Sequence, residues 1–348
     1  MALKISLTVL LFFTQIAFAK KLPELATKQD VSNIRYLTRD GKYTYYQRRS
    51  GDLLLGTNFN VSEILKSDMG TQYYIASSSS SQWIVISQQN NYQQSLDPRL
   101  EAKIFRAKKG ESSTIEIGRG LNSEVQLDGN WVSFYSPFTR VITIKSLENT
   151  QIGFNIQTPT KLNPFFFPDV SMADEQNIFY VDMNEKGESA LIKFTRVDGK
   201  SKVIFKPEGI NRRLELCSGF GKTYLGAFPY QQLDGASEIW EISADKGLTK
   251  PIYTSSLPDI GQMVCDHTEG KIFFSKAFKL GKAIRHDIYS LETKDSKLEA
   301  ISDLRYATSL INFDGLLLIP YQSKFYVPLD QKQVGAKESL SIELKEDK

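Results

Sequence analysis

The sequence predicts an all-β fold, a β-propeller built most simply from seven four-stranded blades, on three observations. A unit of 40 to 49 residues recurs along the chain. Within each unit an aromatic and β-branched run follows a turn that often ends in Gly, and a second, alternating run comes after it. Beyond the N-terminal leader no segment sustains the 3.6-residue apolar period of an amphipathic helix. Short strand-like runs at even spacing, separated by Gly, Asp, Asn and Ser, form antiparallel meanders. Four-stranded units of this length in tandem are the pattern of propeller blades. A six- or eight-bladed ring with a misread unit, or a pair of β-sandwiches, are the alternatives.

In chain order, residues 1–19 read as a secretory signal peptide. Lys4 supplies the positive start, Ile5 to Ile16 the apolar stretch, and Ala17-Phe18-Ala19 a cleavage site before Lys20. The apolar run is shorter than the ~20 residues that span a bilayer. Export to a periplasm or the extracellular medium is therefore expected, with residues 20–348 forming a single propeller domain. Aligned on the residue that closes the first turn, the units fall at Gly41, Ser81, Gly129, Gln176, Gly221, Gly270 and Gly315. Second strands are expected at Tyr43 to Tyr46, Trp83 to Ile86, Trp131 to Phe134, Ile178 to Tyr180, Tyr224-Leu225, Ile272 to Phe274 and Leu316 to Leu318. Third strands follow at Ile104-Phe105, Val141 to Ile144, Leu191 to Phe194, Ile239-Trp240, Ile288-Tyr289 and Phe325 to Val327. The large aromatic side chains suit wedge-shaped blades, which must fill a gap that widens outward. The last unit takes its fourth strand either from Ser339 to Leu344 or from Leu22 to Val31, and the C-terminal segment is favoured.

Composition excludes several classes. The 348 residues are 41% hydrophobic and 11% aromatic, with 43 Lys+Arg against 40 Asp+Glu. Such a chain buries enough apolar surface to order itself. A net charge of +3 over this length makes no case for nucleic acid, which needs clustered cations. No cofactor is implied, and a monomer is expected.

The turn Thr38-Arg39-Asp40-Gly41-Lys42-Tyr43, with Leu127-Asp128-Gly129, Glu269-Gly270-Lys271 and Phe313-Asp314-Gly315, resembles the S-P-D-G-K turn of the WD-like repeat in TolB-type bacterial propellers. The Pro of that turn is absent, and Trp240-Glu241 comes closest to a Trp-Asp ending. The resemblance implies a propeller fold in the cell envelope and no particular activity.

Candidate chemistry is sparse. Cys217 and Cys265 sit 48 residues apart on first strands of adjacent units, and either form a disulfide or are two small buried hydrophobes. His267 and His286 are expected to be surface residues, and with two His and no CxxC no metal site is expected. Gly219-Phe220-Gly221-Lys222-Thr223 lacks the first Gly of a phosphate loop and lies between strands. Compared column by column, the inner strands hold at most one acid per position, so no carboxylate ring is expected. Asp169, Glu124 and Glu215 are the acids with a chance of converging from neighbouring positions. On the face that carries the inter-blade connections, Phe165, Phe166, Arg119, Arg212, Arg213 and Arg305 are candidate binding residues. That face would also carry the insertion 88–103 and a loop over 276–285.

Two functional classes follow. The first is an exported, non-enzymatic propeller that binds a protein, peptide or glycan through its loop-bearing face. The second is a hydrolase or lyase acting on a polysaccharide or peptide, with the three channel acids as catalysts.

Overall fold

A computed structural model describes the chain between residues 34 and 342, apart from 41–42, 49–52, 57–60, 66–70, 78–80, 90–100, 159–167, 185, 208–211, 220, 230–234, 246, 266–269, 302–310, 314–315, 322–323 and 329–338; most side chains are described between residues 53 and 301. The signal peptide, Phe165, Phe166, His267 and Arg305 lie outside the described residues.

The described residues form antiparallel meanders in strict chain order. The first is β1 (Ile34–Asp40), β2 (Tyr43–Arg48), β3 (Leu53–Gly56) and β4 (Val61–Leu65). The second comprises β5 (Gln72–Ser77), β6 (Trp83–Gln89), β7 (Ala102–Lys108) and the first part of β8 (Thr114–Gln126). The remainder of β8 opens the third, with β9 (Trp131–Ser136), β10 (Val141–Ser146) and β11 (Gly153–Gln157). Then come β12 (Val170–Met172), β13 (Asn177–Met183), β14 (Ser189–Thr195) and β15 (Lys200–Phe205). The fifth is β16 (Arg212–Gly219), β17 (Lys222–Pro229), β18 (Ser237–Ser243) and β19 (Gly247–Ser255). The sixth is β20 (Gly261–Cys265), β21 (Lys271–Leu280), β22 (Ala283–Glu292) and β23 (Leu298–Ala300). The last is β24 (Ile311–Phe313), β25 (Leu316–Tyr321), β26 (Lys324–Pro328) and β27 (Ser339–Ile342). β27 pairs with β26, so the fourth strand here comes from the C-terminal segment.

The fold is an all-β propeller, and its order of sheets accommodates seven blades. Blades 2 and 3 share one sheet, because β8 is both the outer strand of one and the inner strand of the next. The crossing is made at Leu121 to Glu124, where the register shifts and Asn122 adopts a φ of 50°.

Each apolar cluster straddles two successive blades, because second strands bury both faces. Val132 and Phe134 of β9 pack back on Trp83, Val85 and Ile104 of blade 2. Trp131 and Tyr135 of the same strand pack forward on Ile178, Tyr180 and Phe194 of blade 4. The same alternation continues, with Phe179 and Val181 facing Leu214, Leu225 and Trp240, then Tyr224 and Phe228 facing Ile272 and Phe274. Alternating side chains point to opposite faces of a strand, so one aromatic run serves two interfaces.

The turns also contribute to the seams. Gly129 closes the β8–β9 turn with a φ of +86°, and its carbonyl accepts a 2.7 Å hydrogen bond from the Ser81 hydroxyl of blade 2. A Cβ at Gly129 would lie 1.9 Å from Ser81 Cβ and 2.7 Å from its Cα. Gly129→Ala therefore combines a left-handed backbone with a clash against a neighbouring backbone, and is expected to cost about 3 kcal/mol. Urea unfolding of the purified variant measures this, and an unchanged midpoint would show that the blade 2–3 turns move apart freely.

Candidate functional site

The inner strands β8, β12, β16 and β20 stand side by side around the channel, and their inward edges carry N–H groups with no further strand to pair with. Such edges need another acceptor. The three acids singled out in the sequence supply it, each reaching from one blade to the inner strand of the next. Glu124 accepts from the backbone N–H of Val170 in blade 4. Asp169 accepts from Leu216 of blade 5. Glu215 accepts from Met263 of blade 6 at 3.0 Å, and from Gln262. The acids thus form a staircase across three seams.

Pairing explains how they align. Asp169 opposes Val181, four residues into its second strand, and Glu215 opposes Gly226, four residues into its own. Glu124 opposes Ser133, two residues in. A count back from the turns misses this agreement, because the β12–β13 and β16–β17 turns differ in length.

Gln126 reinforces the first step. Its amide nitrogen donates to the Val170 carbonyl at 2.9 Å while its amide oxygen accepts from Met172 N at 3.1 Å, so one side chain mimics a rung of sheet between blades 3 and 4. It is 5% exposed and also donates to Ser133 Oγ at 3.0 Å. Asn122 and Gln126 both lean toward the Glu124 carboxylate. Ser87 and Ser123 make a further hydroxyl contact across the blade 2–3 seam at 2.6 Å, and Ser171 meets Ser218 and Thr223 between blades 4 and 5.

The electrostatics follow from depth and sequence of charge. All three acids keep partial contact with solvent, yet they sit where the surrounding protein displaces bulk water. Burial is the first cause of raised proton affinity in each. Glu215 is held back by the adjacent Arg213 guanidinium, with which it forms an ion pair. Asp169 feels the negative charge of Glu215 and is pushed up to about 7. Glu124 feels that of Asp169 and is pushed up to about 8. All three acids thus hold their protons above the ordinary carboxylate range, through burial first and, for Glu124 and Asp169, through the charge of the next acid in the row.

The remaining sequence candidates scatter. Arg212 pairs with Glu238 at 2.8 Å within blade 5. Arg213 binds Glu215 and also donates to the Ile260 carbonyl. Arg119 is exposed at the blade 2–3 crossing, 3.9 Å from Glu116. Cys217 and Cys265 are joined as a disulfide, with Cα atoms 5.6 Å apart, linking β16 to β20.

His286 corrects the expectation of a surface histidine. It is 8% exposed, and its Nε2 lies 3.1 Å from the Pro258 carbonyl. The reason is local: 276–285 is not a loop but the continuation of β21 and β22, which pair along ten rungs from Lys271↔Glu292 to Leu280↔Ala283. His286 consequently faces the blade 5–6 connection. Beside it Asp259, fully buried, accepts from Tyr253 Oη at 2.6 Å and from Ala277 N at 2.7 Å, fixing the hairpin base. No grouping of His, Cys, Asp and Glu among the described residues has the form of a metal site, and no helix among them is long and apolar enough to cross a membrane.

No protein-family model matches this chain, and no curated protein matches it. Solved structures do. A prolyl endopeptidase is 10% identical with a TM-score of 0.59, covering 94% of this chain and 53% of that one, so this chain spans about half of its length. The β-propeller domain of the trilobed protease from Pyrococcus furiosus is 12% identical with a TM-score of 0.54, covering 89% of this chain and 97% of that domain. TolB from Acinetobacter baumannii is 13% identical with a TM-score of 0.43, covering 77% and 63%. The anticipated likeness to β-propellers is present in the trilobed protease domain, and at this identity it is a likeness of fold.

Proposed function

We propose that this chain is an exported, non-catalytic β-propeller that acts as a monomer and binds a protein, peptide or glycan through its loop-bearing face. One observation carries the reading: the acids that would perform catalysis are committed to the seams, each accepting a backbone N–H from the next blade. A general acid or nucleophile must be able to turn toward substrate, and these carboxylates hold the inner strands instead. Arg119 on the exposed crossing is one proposed anchor; Phe165, Phe166, Arg212, Arg213 and Arg305 are the others.

The test pairs a ligand screen with an activity screen. The full chain is offered to immobilised glycans and to cell-envelope extract, and is assayed on peptide and polysaccharide substrates. Saturable binding to a purified ligand is expected, weakened by Arg119→Glu and retained by Asp169→Asn, with no turnover. Cleavage of any substrate that disappears in Asp169→Asn would overturn the reading.

A second reading has its own support. Two neighbouring acids with raised proton affinity in a channel are a common signature of acid catalysis. In a hydrolase or lyase of this kind Glu124 would donate the proton and Asp169 or Glu215 would act as base or nucleophile. A pH–rate profile that loses its alkaline limb in Glu124→Gln would support it.

A further inference from the structure

The β21–β22 hairpin outgrows its blade. β20 pairs with β21 no farther along than Ser275, and β23 pairs with β22 only over Tyr289 to Leu291. From Lys276 to Asp287 the sheet is therefore a two-stranded ribbon. Its base is fixed by Asp259, which accepts from Ala277 N, and by His286 at the Pro258 carbonyl. Beyond that base the ribbon rises about 10 Å further, at ~3.4 Å per residue.

The tip has an unusual surface. Leu280 is 49% exposed and Ile284 38% exposed, with Lys279 and Lys282 exposed beside them. Pairing sets Leu280 with Ala283 on one face of the ribbon and Ile284 with Lys279 on the other. The segment 276–286 carries Lys276, Lys279, Lys282 and Arg285 and no acid. A second tip on the same side of the ring repeats the combination. The β9–β10 turn, which also joins a second strand to a third, presents Phe138 at 63% exposure beside exposed Arg140. Blades 3 and 6 are separated by two blades, so the tips are widely spaced points on one face.

We propose that this face docks on an anionic lipid surface, with Leu280, Ile284 and Phe138 entering the headgroup boundary and the neighbouring cations meeting lipid phosphates. Charge complementarity selects an anionic partner. Geometry selects a lipid one, because a protein with a single contact face would cover Leu280 or Ile284, whereas an interface that closes around the tip covers both. Long basic side chains suit that boundary, their stems in the apolar zone and their heads in water. Few apolar groups take part, so docking is weak, reversible and sensitive to salt.

Co-sedimentation of the full chain with vesicles of phosphatidylcholine alone, or with about one-third phosphatidylglycerol, tests this at low and high salt. Binding is expected only to the anionic vesicles, and should fall as salt rises. K279E/K282E should weaken it at least ~25-fold, at about fivefold per cation removed, and L280S/I284S about tenfold. Absence of binding to anionic vesicles, equal binding to neutral ones, or unchanged binding in both variants would overturn it. So would capture by soluble poly-glutamate, undiminished in L280S/I284S, from a chain that leaves vesicles unbound. Thermal melts check that the variants fold. Should L280S/I284S fail to fold, F138S and the salt dependence of the wild-type chain decide the matter.

Discussion

Loss of the Cys217–Cys265 bridge is expected to cost about 4 kcal/mol, the chain-entropy value for a closed loop of 48 residues. Whole domains are stable by only about 5–15 kcal/mol, so that loss is large. Its weight also follows from architecture. Each blade contacts chiefly its neighbours, as in other repeat folds, so stability is a chain of local interfaces. The C-terminal blade takes its fourth strand, β27, from the C-terminal segment, while Leu22 to Val31 lie outside the described residues. The bridge joins inner strands β16 and β20, where blades 5 and 6 meet at the channel. Urea unfolding of the wild type with and without reductant, alongside C217A/C265A, measures the effect. A lowered midpoint is expected in both cases, with earlier hydrogen exchange in β16 and β20 than in β9 and β13. Equal midpoints would mean that packing of Tyr224, Phe228 and Phe274 alone holds this seam.

How much of this was legible in the residues depends on which interaction sets each feature. The repeat was, because second strands such as Trp83 to Ile86 and Ile272 to Phe274 must bury both faces and announce themselves as unbroken apolar runs. The channel acids were visible as residues but not as a row. Their alignment depends on the bulge around Asn122, on another around Gln262 with its φ of 54°, and on turn lengths, all of which shift a column without altering the strand pattern. The hairpin segment 276–285 read as a loop because its lysines break the alternation of apolar residues. Its two strands are held by each other and by Asp259, a contact that no local pattern encodes. His286 was misplaced for the same reason.

Glu124→Gln is expected to stabilise the protein at alkaline pH and leave it nearly unchanged in mild acid. In the folded chain Glu124 holds its proton up to about 8, against an ordinary value of 4.5. Between those values the native state binds a proton that the unfolded chain has released, so stability is fully present below about 4.5 and falls as pH rises through 8. Asp169 acts in the same sense, from 3.8 up to about 7. Partial solvent contact moderates the effect, and a loss of about 2 kcal/mol between mild acid and pH above 8 is a reasonable scale for Glu124. Gln keeps a neutral group of the same shape and an acceptor for the Val170 N–H, while removing the charge that burial and Asp169 oppose. Urea midpoints of the wild type should therefore decline from mildly acidic to alkaline buffer, and those of Glu124→Gln should decline less. Asp169→Asn should flatten the profile from the other side, since it also removes the charge that raises Glu124. A wild-type midpoint that climbs with pH would mean that these acids are ionised and paired in the folded chain, and the staircase would then be a set of charged clasps instead of a row of retained protons.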